Sequence, residues 1–315
     1  MKKIKSPVLA LIAGWFLMAG GDALIVVGQT AGQGRELHQT YDLAVNGTVS
    51  VSNVSGYIRV TTWNENKVKV DAVKHGRRDE DVNLVEIQVT ATPDRVEIRT
   101  IYPRGRSNSV SVDYDLKVPR TAGLSSLNST SGDITVIGPV ARVIARSTSG
   151  NVGARDVAET ASLASTSGNV NAEKINGELR ASSTSGNVNI NEVASRLYAQ
   201  STSGSVTAVQ IRDDATVSVT SGTVRLDRVG GRAVARSMTG WVVVNEVGGD
   251  VQAESTSDNV TVTNVRGRVT ASAISGNIII RNVNEGVRAG AVSGKIEITD
   301  TKGRIEANTT SDAII

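Results

Sequence analysis

With 315 residues, 34 Lys and Arg against 31 Asp and Glu, and no cysteine, the chain sits close to charge balance. Setting aside Lys2, Lys3, Lys5 and Asp22 removes a net +2 from the formal +3 and leaves +1, a balance that argues against a nucleic-acid partner. The missing cysteines exclude a disulfide framework and a lipid-modified N-terminal cysteine, and a single Phe excludes a core built on large aromatic rings.

The first predicted element is a targeting segment. Met1 to Lys5 is basic, Pro7 to Gly21 is apolar, and small residues (Ala19, Gly20, Gly21, Ala23) follow, so residues 1–23 are expected to be a cleaved signal peptide that engages the membrane during export. Asp22 interrupts the apolar run short of what a spanning anchor needs. Residues 24–37 read as a polar lead-in. The expected location is therefore the periplasm, the cell surface or the medium.

Residues 38–124 read as an irregular β cap holding a first coil. Around Gly56, Val49 and Val51 precede and Ile58 and Val60 follow at strand spacing, while Trp63 is bulky enough to be expected to seal the end of the rod. Val68, Val70 and Ala72 continue as a strand up to a charged loop, Lys74 to Asp81. Val85, Ile87, Val89 and then Val96 and Ile98 read as two strands around a turn, and Val110 to Val118 as one more ending at Pro119.

Residues 125–315 carry the dominant pattern. Gly132, Gly150, Gly168, Gly186, Gly204, Gly222, Gly240, Gly276 and Gly294 fall on one 18-residue beat, with Asp258 standing in once and Asp312 next in line. Counted from the turn glycine, positions −7, −5 and −3 are small or apolar (Val143, Ala145, Ser147), and so are +2, +4 and +7 (Val188, Ile190, Val193). Spacing of two on both sides of a Ser-Gly turn is strand alternation. Six small buried side chains cannot offset the ordering of 18 residues, so one coil cannot stand alone and the coils must stack. The predicted fold is all-β: a parallel two-sided β-solenoid of 18-residue coils, right-handed by the general crossover preference. A hexapeptide helix is excluded because the inward positions have no six-residue period. At about 4.8 Å per coil the array is on the order of 50 Å long. Its thin core leaves little room for a ligand cavity. The chain stops half a coil after Asn308-Thr309-Thr310-Ser311-Asp312. Two readings stay open there: end-to-end self-association through the last coil, or a fragment of a longer chain.

The runs "VSNVSGYIRVTTWNENKVKVDAVKHG" and "YDLKVPRTAGLSSLNSTSGDITV", followed by serial "STSGNV" turns, resemble the bacterial putative-adhesin family, a domain of unknown function also described as a toastrack domain. The resemblance runs from about Gln39 to the end. It implies an exported right-handed β-solenoid at the cell envelope, an interaction module in some members tied to envelope-stress signalling, and it brings no catalytic residues.

Individual residues add little chemistry. His38 and His75 are the only histidines and read as solvated surface groups. The Ser-Gly turns lack the strand-to-helix setting of a nucleophile elbow; their hydroxyls are expected to bond turn backbone. Asn151, Asn169, Asn187, Asn259 and Asn277, each just past a turn, are expected to stack as an amide ladder. Asp follows the turn only at Asp133, so calcium is not expected, and no cofactor or other metal is either. Outward carboxylates (Glu173, Asp227, Glu254, Glu297) are scattered, with no facing pair for sugar hydrolysis. One anomaly stands out: Val234, Trp241 and Val243 occupy outward positions of the Gly240 coil where others are polar, and Tyr198 shares the Val234 column, a candidate partner-contact patch. The expected function is a non-catalytic adhesin-like scaffold contacting an envelope protein or a cell-surface polysaccharide. A component of an envelope-stress pathway is the alternative, and a carbohydrate-active enzyme comes third.

Overall fold

A computed structural model describes residues 27–31, 34–103 and 109–315. The segment expected to direct export lies outside the described residues. Two long sheets face each other, one of 15 strands and one of 14. In the array, the strand before each Ser-Gly turn belongs to the larger sheet and the strand after it to the smaller. Equivalent strands of successive coils pair in parallel at a shift of one repeat, as in Val170↔Val188 and Leu179↔Leu197. Parallel strands buried between two sheets favour small β-branched side chains. Val188, Ile190 and Val242 are at most 3 % exposed, so the predicted inward columns form the spine.

The three-residue gap between inward positions +4 and +7 has a definite cause. At +6 the chain adopts a left-handed conformation in every coil from Asp156 to Asp300, with φ between 53° and 65°. The kinked residue has no partner in the ladder: Arg155 pairs Glu173, then Val157 pairs Ile175. The register is 18 residues on both sides of it, so successive coils share one in-register kink, which re-aims the next side chain inward and turns the strand toward its corner.

The cap is built in an order that the sequence pattern does not show. Strands β1 (Val27–Ala31), β2 (Glu36–Asp42), β3 (Thr48–Ser52), β4 (Ile58–Trp63) and β5 (Lys67–His75) are followed by a short helix α1 (Asp79–Asn83). Then come β6 (Glu86–Thr92), β7 (Arg95–Ile101), β8 (Ser111–Pro119), β9 (Gly123–Ser129) and β10 (Ile134–Val140). β3 and β4 form the Gly56 coil and pair onward with β9 and β10. On their other side lie β7 and β8, also parallel, so a coil later in the chain covers an earlier one. Antiparallel β6 and β5, then β1 and β2, complete the end. Both sheets thus run unbroken from cap to array.

Two expectations change accordingly. The stretch read as a polar lead-in supplies β1 and the start of β2. Trp63 does not seal the rod: it is half-buried, paired in register with Pro119, and its indole N–H donates to Lys67 O at 2.7 Å. Its coil is interior because residues 64–122 fold back over it. Among the described residues no helix is long and apolar enough to cross a membrane.

Candidate binding surface on the serine-glycine edge

The Ser-Gly turns stack into a narrow edge between the two sheets. In most coils the residue three before the turn glycine is a buried serine, and from Ser147 to Ser201 it bridges two coils. Ser147 Oγ donates to Gly132 O of the preceding turn and accepts from Gly150 N–H, both at 2.9 Å. Ser165, Ser183 and Ser201 repeat this. Where the turn is glycine there is no space for a side chain without a shift of the backbone: a Cβ on Gly150 would lie 2.1 Å from Gly132 O. The sequence TSG is therefore dictated by stacking and not by a need for a nucleophile.

The position after the glycine carries the expected ladder, with a different bonding pattern. Each side-chain oxygen accepts the backbone N–H of its counterpart one coil on. Asn151 N–H donates to Asp133 Oδ1 at 2.7 Å and Asn169 N–H to Asn151 Oδ1 at 2.9 Å, and so on to Thr223 N–H on Ser205 Oγ at 3.1 Å. The ladder resumes with Asn277 N–H on Asn259 Oδ1 at 2.8 Å. Between these runs stands Trp241.

Trp241 replaces a ladder residue with an indole that is 57 % exposed. Its Nε1–H donates to Asp258 Oδ1 at 3.1 Å. Asp258 is the residue that stands where a turn glycine belongs, and its own N–H donates to Ser255 Oγ at 3.1 Å. The two departures from the repeat are thus one device: the aspartate fixes the ring, and the ring stays open to solvent. On the near shoulder of the turns, Met238, Ile274 and Val292 are exposed where other coils carry threonine. A shallow hollow of about 610 Å³ lies beside them, floored by Ser272 and Gly290. A Cβ on Gly290 would meet nothing within 4 Å, so the backbone does not require that glycine. A strand glycine of this kind leaves room for close approach from outside. In the sequence Met238, Ile274 and Val292 are breaks in the threonine column two residues before the turn.

The four residues of the sequence-derived patch do not share a surface. Tyr198 and Val234 lie on the larger sheet, two coils apart with Thr216 between them. Val234 is 9 % exposed, and the Arg180 guanidinium lies 4.6 Å from the Tyr198 ring centre. Val243 is half-buried on the smaller sheet between Arg225 and Thr261. The strands on either side of a turn enter opposite sheets, so outward positions before and after it point apart. Trp241 alone projects from the edge.

Elsewhere the polar groups neutralise one another. Glu173 binds Arg155 at 2.8 Å, Asp227 binds Arg228 at 2.8 Å, Glu254 binds Arg236 at 2.9 Å and Glu297 binds Arg281 at 2.9 Å. His38 lies 2.7 Å from Asp71 and 3.3 Å from Glu36, whose hydrogen bonds raise its pKa above the ordinary value, and His75 lies 3.1 Å from Asp113. Among the described residues no group of three or more His, Cys, Asp or Glu is placed to hold a metal.

A family model described as Toastrack DUF4097 matches residues 48–237. No curated protein matches the sequence. Among solved structures, a "putative adhesin" of Bacteroides fragilis NCTC 9343 is 14 % identical, with 87 % of this chain and 97 % of that one covered and a TM-score of 0.29. A "putative cell adhesion protein" of Clostridium sporogenes ATCC 15579 is 10 % identical over 66 % of this chain and 97 % of that one, at 0.28. A "putative adhesin" of Parabacteroides distasonis ATCC 8503 is 12 % identical over 90 % and 97 %, at 0.22. All three scores fall below 0.5, so the fold rests on the strand pairing described above.

Proposed function

Because the chain belongs to the Toastrack DUF4097 family, a domain of unknown function, we propose that it is a non-catalytic, exported, adhesin-like scaffold that binds cell-surface polysaccharide along its serine-glycine edge. The observation that carries this reading is the clamped indole of Trp241. A sugar ring presents an apolar face and a polar rim; a solvent-open aromatic plane suits the face, and flanking hydroxyl and amide columns suit the rim. With its N–H already satisfied by Asp258, the ring offers its plane at little further entropic cost. The charged side chains give no support to a hydrolase, since each outward carboxylate singled out from the sequence is tied to an arginine.

Tryptophan fluorescence tests the reading. Trp15, Trp63 and Trp241 are the only indoles, and Trp63 is half-buried in the cap. Titration of the protein with solubilised envelope polysaccharide should change the emission in wild type and in Trp63→Phe, and leave Trp241→Ala unchanged. Equal binding by Trp241→Ala, or no binding by wild type to any envelope polysaccharide, defeats the proposal.

A further inference from the structure

The rod's opposite edge, where each coil returns to the next, carries a second surface that owes nothing to Trp241. The left-handed kink and the corner beyond it bound a groove of about 820 Å³ running along the axis. The kink column is occupied by long side chains, among them Gln210, Arg228 and Glu246, at φ of 60°, 56° and 54°. Glycine or asparagine adopts that conformation at lower cost; other residues there store on the order of 1 kcal/mol each. Five successive coils, Lys174 to Glu246, carry such residues, while Asp or Asn takes the position at Asp156, Asn264, Asn282 and Asp300.

The corner's charges form a self-complementary pattern. Four columns follow the axis: the kink and the residues at +8, +9 and +10 from the turn glycine. A two-fold axis lying across this edge, midway between the coils of Gly222 and Gly240, keeps each column on itself and reverses the order of coils. In the kink column it sets Arg228 against Glu246 of a second copy, and Gln210 against Asn264. In the +10 column it sets Arg232 against Asp250 and Asp214 against Arg268. At the centre, Gly230 meets Gly248 and Gly231 meets Gly249, the only two successive corners of the array made of paired glycines. The one like-charged meeting, Arg212 with Arg266, lies at the rim beside Asp213.

The pairing groups are exposed. Within the chain Arg228 also bridges Asp227 at 2.8 Å, Arg232 donates to Gln252 Oε1 at 3.0 Å and Arg268 lies 3.9 Å from Glu285. Glu246 has no hydrogen-bond or ion-pair partner among the described residues, even though Arg228 stands one coil away in its own column. Asp214 and Asp250 each hold the next coil's backbone N–H through Oδ1, at 2.8 and 2.9 Å, which leaves the second oxygen of each carboxylate outside that bond.

We propose that this corner is a self-association surface on which two copies meet antiparallel about that two-fold axis, with paired glycines at the centre and opposite charges around them. Four coils at about 4.8 Å by the about 10 Å between sheets give roughly 190 Å² per copy, well under a standard interface, so the dimer belongs to the weak, salt-sensitive class. It gains significance where copies are concentrated, as on a surface.

Sedimentation velocity of the whole chain up to about 1 mM, in about 50 mM and about 500 mM salt, tests this. Wild type should dimerise at low salt and dissociate at high salt. Arg228→Glu and Glu246→Arg should each be monomeric in both. The double exchange, Arg228→Glu with Glu246→Arg, restores opposite charges across the axis and should dimerise like wild type. Both residue types already occupy that column in the same backbone conformation, so the variants should fold, which far-UV circular dichroism checks. A wild type that stays monomeric throughout, a dimer indifferent to salt, single variants that dimerise normally or a double exchange that stays monomeric would each overturn the proposal.

Discussion

The buried serine column allows one prediction to be made in both directions. Ser183 Oγ makes two hydrogen bonds at 2.9 Å, donating to Gly168 O and accepting from Gly186 N–H, at a residue that is 5 % exposed. In Ser183→Ala both bonds vanish and a buried N–H is left without a partner. With a net contribution of about 1 kcal/mol per bond and a similar penalty for the stranded donor, the loss should be about 2 to 3 kcal/mol. Two coils show the reverse starting point. Ala291 occupies the same position, 7 % exposed, between the Gly276 carbonyl and the Gly294 N–H, and Thr309 one coil on already donates to Gly294 O at 3.1 Å. Ala291→Ser should therefore complete a bridge and add about 1 kcal/mol. Urea unfolding followed by far-UV circular dichroism, compared at equal slope, measures both. If the two substitutions shift the midpoint in the same direction, or if neither moves it, the hydroxyls are not what joins the turns.

Two further outcomes concern titration in the cap. Lys74 projects to the inward side of β5 and is 4 % exposed; burial, the largest influence, lowers its pKa, against a smaller opposing effect of Glu86. The charged form is disfavoured in the fold, so the penalty is present at neutral pH and eases as pH rises through the folded pKa toward the ordinary 10.5. Lys74→Met should raise the melting temperature at pH 7 and remove the part of its rise that wild type shows as pH climbs toward 10.5. His38 is the opposite case: its carboxylate neighbours raise its pKa, so its contribution is complete below 6.5 and fades as pH climbs through the folded value. NMR titration should place His38 above 6.5, and Asp71→Asn should bring it back toward that value.

Much of the array was legible because each inward position recurs at a fixed distance from a turn that is glycine in nearly every coil. Val143, Ala145, Val188 and Ile190 could be placed without any knowledge of pairing. The kink was hidden for the converse reason: Lys174, Glu192 and Arg228 carry no local preference for a left-handed backbone, and only the three-residue gap beside them hinted at it. The cap was half legible. Alternation in Val85–Val89 and Val110–Val118 marked strands, but alternation does not specify a partner, so the insertion of β7 and β8 outside the Gly56 coil was out of reach. The contact patch failed on a related point. Val234 and Val243 are neighbours in sequence around one turn, and the turn is what separates them.

The reversed order of coils in the cap has a consequence for biogenesis. The Gly56 coil cannot be roofed until the chain has been made as far as Pro119, so the growing polypeptide has to hold its opening strands in reserve and then clasp them. Once that clasp is shut, the Gly56 coil offers the next coil a pair of strand edges to add to. Reach and foundation are thereby uncoupled: coils can be gained or lost downstream, lengthening or shortening the protein by about 4.8 Å each, without any change to the part that starts it.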